Sequence, residues 1–152
     1  MNRYRMLYHL ARIYWFIFRP KTWGVRCVIR HKGKVMLVKN SYSEKGWQFP
    51  GGGIHKNETP LGAVKRETME ETGLRINEIK LFGKLKNTEE FKKDTVYIFT
   101  AFADSPKTSI DNKEIIDARW VNINAPSVYV SFVSKLIIEK LATSLKPFLH
   151  FL

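Results

Sequence analysis

Gly52-Gly53-Ile54-His55-Lys56-Asn57-Glu58-Thr59-Pro60-Leu61-Gly62-Ala63-Val64-Lys65-Arg66-Glu67-Thr68-Met69-Glu70-Glu71-Thr72-Gly73-Leu74 is the stretch on which the reading of this chain turns. It opens on glycine, where backbone can approach a neighbour closely, and then carries the punctuation of a helix over Thr59 to Thr72. Thr59 is placed as an N-cap, and Pro60 suits the first helical position, where its missing N–H is not needed. Gly73 supplies the left-handed residue that ends the helix. Glu58, Glu67, Glu70 and Glu71 fall within fourteen positions. Spacings of three and four put Glu67, Glu70 and Glu71 on one helical face, where like charges repel by roughly 0.2–0.5 kcal/mol per pair. They also lie toward the C-terminal half, where the helix dipole disfavours anions. A sequence shaped by stability alone avoids this. A hard divalent cation reverses the sign, because Mg²⁺ favours clustered carboxylate oxygens. Arg66 adjoins the cluster and can hold a carboxylate through two parallel hydrogen bonds. A backbone carbonyl from the turn Gly51 to Gly53 is a further candidate metal ligand.

Outward from that helix, the elements alternate irregularly. Upstream, the apolar runs Trp23 to Arg30 and Lys34 to Val38 read as strands joined by a His31-Lys32-Gly33 turn. After the polar loop Asn40 to Gly46, Trp47 to Phe49 reads as a short strand. Downstream, Asn77 to Lys86 and Thr95 to Ala103 read as strands, as does Ala118 to Ile123. The tail from Pro126 to Leu145 reads as an amphipathic helix carrying Val130, Val133, Leu136, Ile137 and Leu141. Met1 to Phe18 is expected to be helical, with Leu7, Leu10, Ala11, Tyr14 and Ile17 at helical spacing and Pro20 ending it. Its expected role is packing, on the domain or on a second subunit. Its apolar run is far too short to span a bilayer, and peripheral membrane contact through it is not expected.

The chain has 152 residues, which suits one mixed α and β domain able to bury a core without staples. The division expected is an N-terminal amphipathic helix over residues 1–21 and a catalytic domain over 22–152. Lysine and arginine number 26 against 14 acids, a formal charge of +12. That field attracts anions, whether nucleotides, nucleic acid or an acidic surface, and does not choose among them. A single cysteine, Cys27, excludes an intramolecular disulfide and reads as a buried small hydrophobe. With no cysteine framework and no cleavable signal peptide, the expected compartment is the cytoplasm.

The pattern of Gly52, five residues, Glu58, seven residues, then Arg66-Glu67-Thr68-Met69-Glu70-Glu71-Thr72-Gly73-Leu74 resembles the signature of the Nudix hydrolases. Every fixed glycine, glutamate and arginine of that box is present at its spacing. The one departure is Thr68, where the family prefers an aliphatic residue. Trp47-Gln48-Phe49-Pro50-Gly51-Gly52-Gly53 is similar to the strand and loop that lead into the box, and the likeness extends over roughly residues 22 to 145. The resemblance implies an α+β fold, a mixed sheet sandwiched between helices, here with an extra N-terminal helix. It implies hydrolysis of a nucleoside diphosphate linked to another moiety, with Mg²⁺ or Mn²⁺ and a water nucleophile. Carried over by position, Glu70 and Glu71 are the main metal ligands, with Glu67 a further ligand or the base. Arg66 orients Glu67, Glu58 and the glycines Gly52 and Gly73 support the site, and the Gly51 carbonyl completes a metal shell. A base beyond the box is an alternative, with Glu114 the first candidate and Asp111 a weaker one.

Other residues stay open. His55 follows the glycine loop and is a candidate phosphate contact, while Trp47 and Phe49 are candidates to stack on a base, one of them expected in the core. His9, His31 and His150 share no metal-ligand spacing. Lys84, Lys86, Lys92 and Lys93 are candidates to attract polyphosphate or nucleic acid, against the default of a solvated basic edge. The downstream markers of the family's ADP-ribose, dinucleoside polyphosphate and NADH hydrolases are absent, with Thr88, Glu89, Glu90 and Phe91 in that neighbourhood. The expected substrate is a nucleotide-type small molecule, with the lean toward a nucleoside triphosphate. A homodimer is reasonable from the two apolar terminal helices. The alternative is a non-catalytic module that binds RNA or an anionic membrane through its basic surface.

Overall fold

Alternation along the strands puts apolar side chains on both sides of one sheet, so two layers must cover it. In the computed structural model, which describes residues 3–42, 45–87, 93–110 and 112–145, this is what the chain does. The elements run α1 (Arg3–Phe18), β1 (Lys21–His31), β2 (Lys34–Asn40), α2 (Pro60–Thr72), β3 (Ile76–Asn87), β4 (Lys93–Ala103), β5 (Ile115–Val121) and α3 (Phe132–Leu145). The five strands lie in the order β3-β4-β1-β2-β5. β1 and β4 are parallel, and the other pairs are antiparallel. Val25, Cys27 and Ile29 of β1 pack with Ala63 and Val64 of α2 on one face. Val28, with Leu37 and Ile98, packs against Ile137 and Leu141 of α3 on the other. The mixed sheet held between helices, with an added N-terminal helix, is the architecture expected.

Two boundaries differ from the sequence reading by three residues or more. β5 begins at Ile115 rather than Ala118, extending its pairing with β2 across Asn40↔Ile115. The last helix begins at Phe132 because Ser131 intercepts it: its Oγ accepts from the Ser134 N–H at 3.3 Å, an N-cap bond. Val130 therefore lies before the helix, bridged to Trp47.

The feature that builds the site is a divergence within the sheet. β1 and β2 pair only beside their turn, at Arg30↔Val35 and His31↔Lys34. Beyond that point the segment from Trp47 to Ile54 fills the gap between them. Val25 and Cys27 donate to the Gly52 and Pro50 carbonyls at 2.9 and 2.8 Å, and Ile54 donates to the Trp23 carbonyl at 3.0 Å. On the opposite side Val38 and Gln48 exchange both backbone bonds. The glycine turn is thus held as part of the sheet, not as a loose loop.

Candidate active site

α2 begins and ends as its sequence dictates. The Thr59 side chain accepts from the Gly62 N–H at 3.0 Å, and Gly73 takes φ 67° with its N–H bonded to the Met69 carbonyl. Ala63, Val64, Thr68 and Thr72 face the sheet. That orientation turns Arg66, Glu67 and Glu70 toward the glycine turn and a cavity of about 880 Å³. Glu67, Glu70, Glu71 and Glu114 all line this cavity, with Arg66, His55 and Gly51 to Gly53.

Arg66 is the hub of the acidic set. Its Nε and Nη2 each donate to one oxygen of Glu58 at 2.9 Å, a bidentate pair. Nη1 donates to Glu67 at 2.7 Å and to Glu70 at 3.1 Å, and Nη2 also donates to the Gly53 carbonyl at 3.0 Å. A bond from Arg66 to Glu67 is present, but the bidentate geometry is with Glu58. Glu58 is further fixed by the His55 N–H at 2.9 Å. The Arg66 hydrogen bonds, followed by that N–H, lower the Glu58 pKa to about 2. Glu67 rests directly on Gly52: a Cβ there would meet its Oε1 at 2.6 Å, so any larger residue would displace the carboxylate.

Glu71 has a different environment. It is only 7% exposed, and its Oε2 accepts from the Gly51 N–H at 2.7 Å. Burial, opposed by Arg26 and that N–H and reinforced by the charges of Glu67 and Glu114, raises its pKa to about 8. A carboxyl so crowded by others takes up either a proton or a cation. Among the described residues no three acidic, histidine or cysteine side chains converge as they stand on a common ion position. Glu67 and Glu70 are turned to Arg66 and Glu71 to Gly51. The donor set fits a hard divalent cation, since the carboxylates of Glu67, Glu70, Glu71 and Glu114 line one cavity.

Sequence reasoning missed Arg26. It interrupts the apolar run of β1 between Val25 and Cys27, and that lone charge was the available signal. Its Nη1 donates to the Phe49 carbonyl at 3.2 Å and to the Gly51 carbonyl, and Nη2 donates to Gln48 Oε1 at 3.1 Å. The Gly51 carbonyl, expected as a metal ligand, is here bonded to arginine. Also unforeseen is Tyr42, whose hydroxyl bonds to Glu114 and whose pKa is raised chiefly by burial. The Ser41 N–H anchors the Glu114 backbone carbonyl at 2.8 Å, so this loop acid is fixed beside the box.

Trp47 and Phe49 require a correction. Both are buried, at 7% and 0% exposure, in the core under α3. Two residues apart on a strand, they share a face, and that face is the core. Arg119 covers the Trp47 ring at 4.9 Å. The aromatic side chains that line the cavity are Tyr4, Tyr8 and Trp15 of α1, Trp23 of β1, and Tyr42. Lys84 lies over the Tyr97 ring at 4.6 Å, away from the cavity. Asp111, Lys92, His150 and the marker positions 88–91 lie outside the described residues. Cys27 is buried, and burial raises its pKa to about 12, so it is inert as a thiolate.

A model of the NUDIX domain matches residues 19–137. The chain belongs to the Nudix family. An RNA pyrophosphohydrolase of Hydrogenovibrio crunogenus is 26% identical over 153 residues, spanning 88% of this chain and 91% of that protein. An 8-oxo-dGTP diphosphatase of Buchnera aphidicola is 35% identical over 68 residues, 45% of this chain and 55% of the relative. In fold, this Nudix chain matches the crystal structure of a MutT NUDIX hydrolase from Burkholderia pseudomallei with a TM-score of 0.71 at 18% identity, over 79% and 97% of the two chains. It is a Nudix hydrolase acting on phosphoric anhydride bonds. The matched region begins after α1, so the helix that walls the cavity is an addition to the Nudix domain.

Proposed function

We propose that this Nudix hydrolase cleaves a diphosphate linkage in a nucleoside diphosphate-X substrate, with Mg²⁺ or Mn²⁺ and water as nucleophile. We infer a nucleoside 5′-triphosphate, free or at an RNA end, as the substrate. The observation that carries the reading is the gathering of Glu67, Glu70, Glu71 and Glu114 around one cavity with Arg66. A divalent ion bound there supplies charge neutralisation for the diphosphate oxygens and acidifies a water. Glu70 and Glu71 are assigned as its main ligands, with Glu67 and the Gly51 carbonyl completing the set. Glu67 bonds to Arg66 through Oε1 and Glu70 through Oε2, so each would ligate through its other carboxylate oxygen while Arg66 keeps its bidentate hold on Glu58. Glu114 is assigned as the base that accepts the proton of the attacking water, with Glu67 the other candidate. Water adds to one phosphorus, the bridging P–O bond breaks, and the two phosphate products separate. His55, exposed and lining the cavity, is assigned as a phosphate contact.

The test is a panel of nucleotides, nucleotide sugars and triphosphorylated RNA incubated with the protein and Mg²⁺, with products identified by mass. Release of pyrophosphate or phosphate from the triphosphates is expected, and Glu70→Gln should lower kcat by two or more orders of magnitude, on the order of the loss typical of a removed transition-state interaction. No turnover of any panel member, or full turnover by Glu70→Gln, would refute the metal assignment. The competing reading is a non-catalytic module for RNA or an anionic membrane. It is favoured by the absence of any acid before Glu44, and it predicts binding with no hydrolysis.

A further inference from the structure

Helix α1 buries none of its residues, yet it is among the most apolar segments of the chain. Its two faces have separate surroundings. Tyr4, Leu7, Tyr8, Ala11 and Trp15, at spacings of three and four, line the catalytic cavity, and Tyr8 meets the Tyr42 ring at 5.3 Å. On the other side Met6, Leu10, Ile13, Tyr14 and Ile17 form a second row at the same spacings. These five are 46–63% exposed, and none of the described residues buries them. Scattered exposed hydrophobics are ordinary, but a contiguous row along one helix marks an interaction surface.

The charge around this row selects the occupant. No acid occurs in the first 43 residues, while Arg3, Arg5, Arg12 and Arg19 punctuate the helix and its end. At 100° per residue, Arg5 and Arg12 fall in line on the flank between the cavity wall and the apolar row, and Arg3 falls within the arc of the row itself. A second copy docked on this face would bring together two helices that each carry Arg3, Arg5 and Arg12 and no acid. An anionic surface would instead neutralise these arginines. Sixteen residues of helix reach about 24 Å, short of the roughly 30 Å hydrocarbon thickness, and no described helix is long and apolar enough to cross a membrane. An apolar row on an acid-free helix of this length, with Arg3 in the row and further arginines on its flank, is suited to lying in the headgroup region of a bilayer.

We propose that α1 binds the surface of an anionic phospholipid bilayer through Met6, Leu10, Ile13, Tyr14 and Ile17, with its arginines on the headgroups. Because the opposite face of the same helix walls the cavity, binding sets the catalytic site beside the lipid surface. The helix is then an adaptor between bilayer and active site.

Co-sedimentation of the full chain with vesicles tests this. Binding is expected to phosphatidylcholine vesicles containing phosphatidylglycerol, to fall steeply with added salt, and to be at least several-fold weaker on phosphatidylcholine alone. Ile13→Glu with Ile17→Glu should lower the bound fraction by about tenfold or more, as two charges on a headgroup-buried face would. The thermal unfolding midpoint and the hydrolysis of a soluble nucleotide should be unchanged. Arg3→Gln with Arg12→Gln, which spares the apolar row, should weaken binding and flatten its salt dependence, so a failure of the first variant to fold leaves the proposal testable. No binding to the anionic vesicles would overturn it, as would equal binding to both vesicle types or binding indifferent to both variants. A dimer in solution that Ile13→Glu with Ile17→Glu dissociates, without vesicle binding by the parent chain, would assign the face to a second copy instead.

Discussion

Thr68 is completely buried on the sheet side of α2, and among the described residues its hydroxyl meets no partner but the Cys27 thiol. The Cys27 thiol beside it is a weak partner at best. This is the one position of the box where the residue departs from the aliphatic preference of the Nudix pattern, and the departure leaves a buried polar atom unsatisfied. Replacing the hydroxyl by a methyl of the same shape removes a desolvation penalty. Thr68→Val should therefore stabilise the protein by about 1 kcal/mol, a rise in Tm of roughly 2–4 °C, with hydrolysis unchanged. Calorimetric scans of the two proteins check this, and a lower Tm for the valine variant would mean the hydroxyl is bonded after all.

At the scale of elements, the end of α2 is tied to the loop that leads toward Glu114 and β5. The Ser109 N–H donates to the Thr72 carbonyl at 2.8 Å. Gly73 holds φ 67°, and a Cβ there would meet the Ser109 carbonyl oxygen at 3.0 Å and its Cβ at 2.9 Å. Gly73→Ala combines left-handed strain with that overlap and should cost about 1–3 kcal/mol. Because the displaced segment runs on to Glu114, kcat should fall more than the loss of folded protein explains. Denaturant unfolding, set beside activity per folded molecule, separates the two effects. A variant of parental stability would show that the helix end and the loop are not coupled.

For the molecule as a whole, carboxylate crowding makes stability, pH and metal one linked system. Glu71 titrates near pH 8 in the folded chain against an ordinary value of 4.5. Between those two pH values the folded state holds a proton that the unfolded state has released, so metal-free stability falls as pH rises through that window. A bound cation substitutes for the proton. In chelator, the Tm at pH 8 should thus be lower than at pH 5 by more than in Glu71→Gln, where this contribution is absent. Mg²⁺ should raise the parental Tm at pH 8 and release protons on binding at pH 7. Thermal scans with and without Mg²⁺, and titration calorimetry in two buffers, test both outcomes. The absence of any Mg²⁺ effect at pH 8 would count against the assigned ligands.

What the sequence alone determined is local and periodic. Helical spacing placed Glu67, Glu70 and Glu71 together, and the chemistry of Thr59, Pro60 and Gly73 bounded the helix that carries them, because these effects act within one or two turns. A sheet covered on both faces was legible only as what the resemblance of the box to the Nudix signature implied. Tertiary structure alone decided which partner each group takes. Trp47 and Phe49 share a strand face whatever the fold, but only the packing of α3 makes that face core. Arg26 is an odd charge in a strand until the divergence of β1 and β2 admits the glycine turn beside it. Glu114 gains Tyr42 through contacts across about seventy residues of chain, a separation whose closure local propensity does not encode. The amphipathic character of α1 was visible in its sequence. That one face walls the cavity while the other stays uncovered depends on where the domain lies, and short-range periodicity carries no information about that.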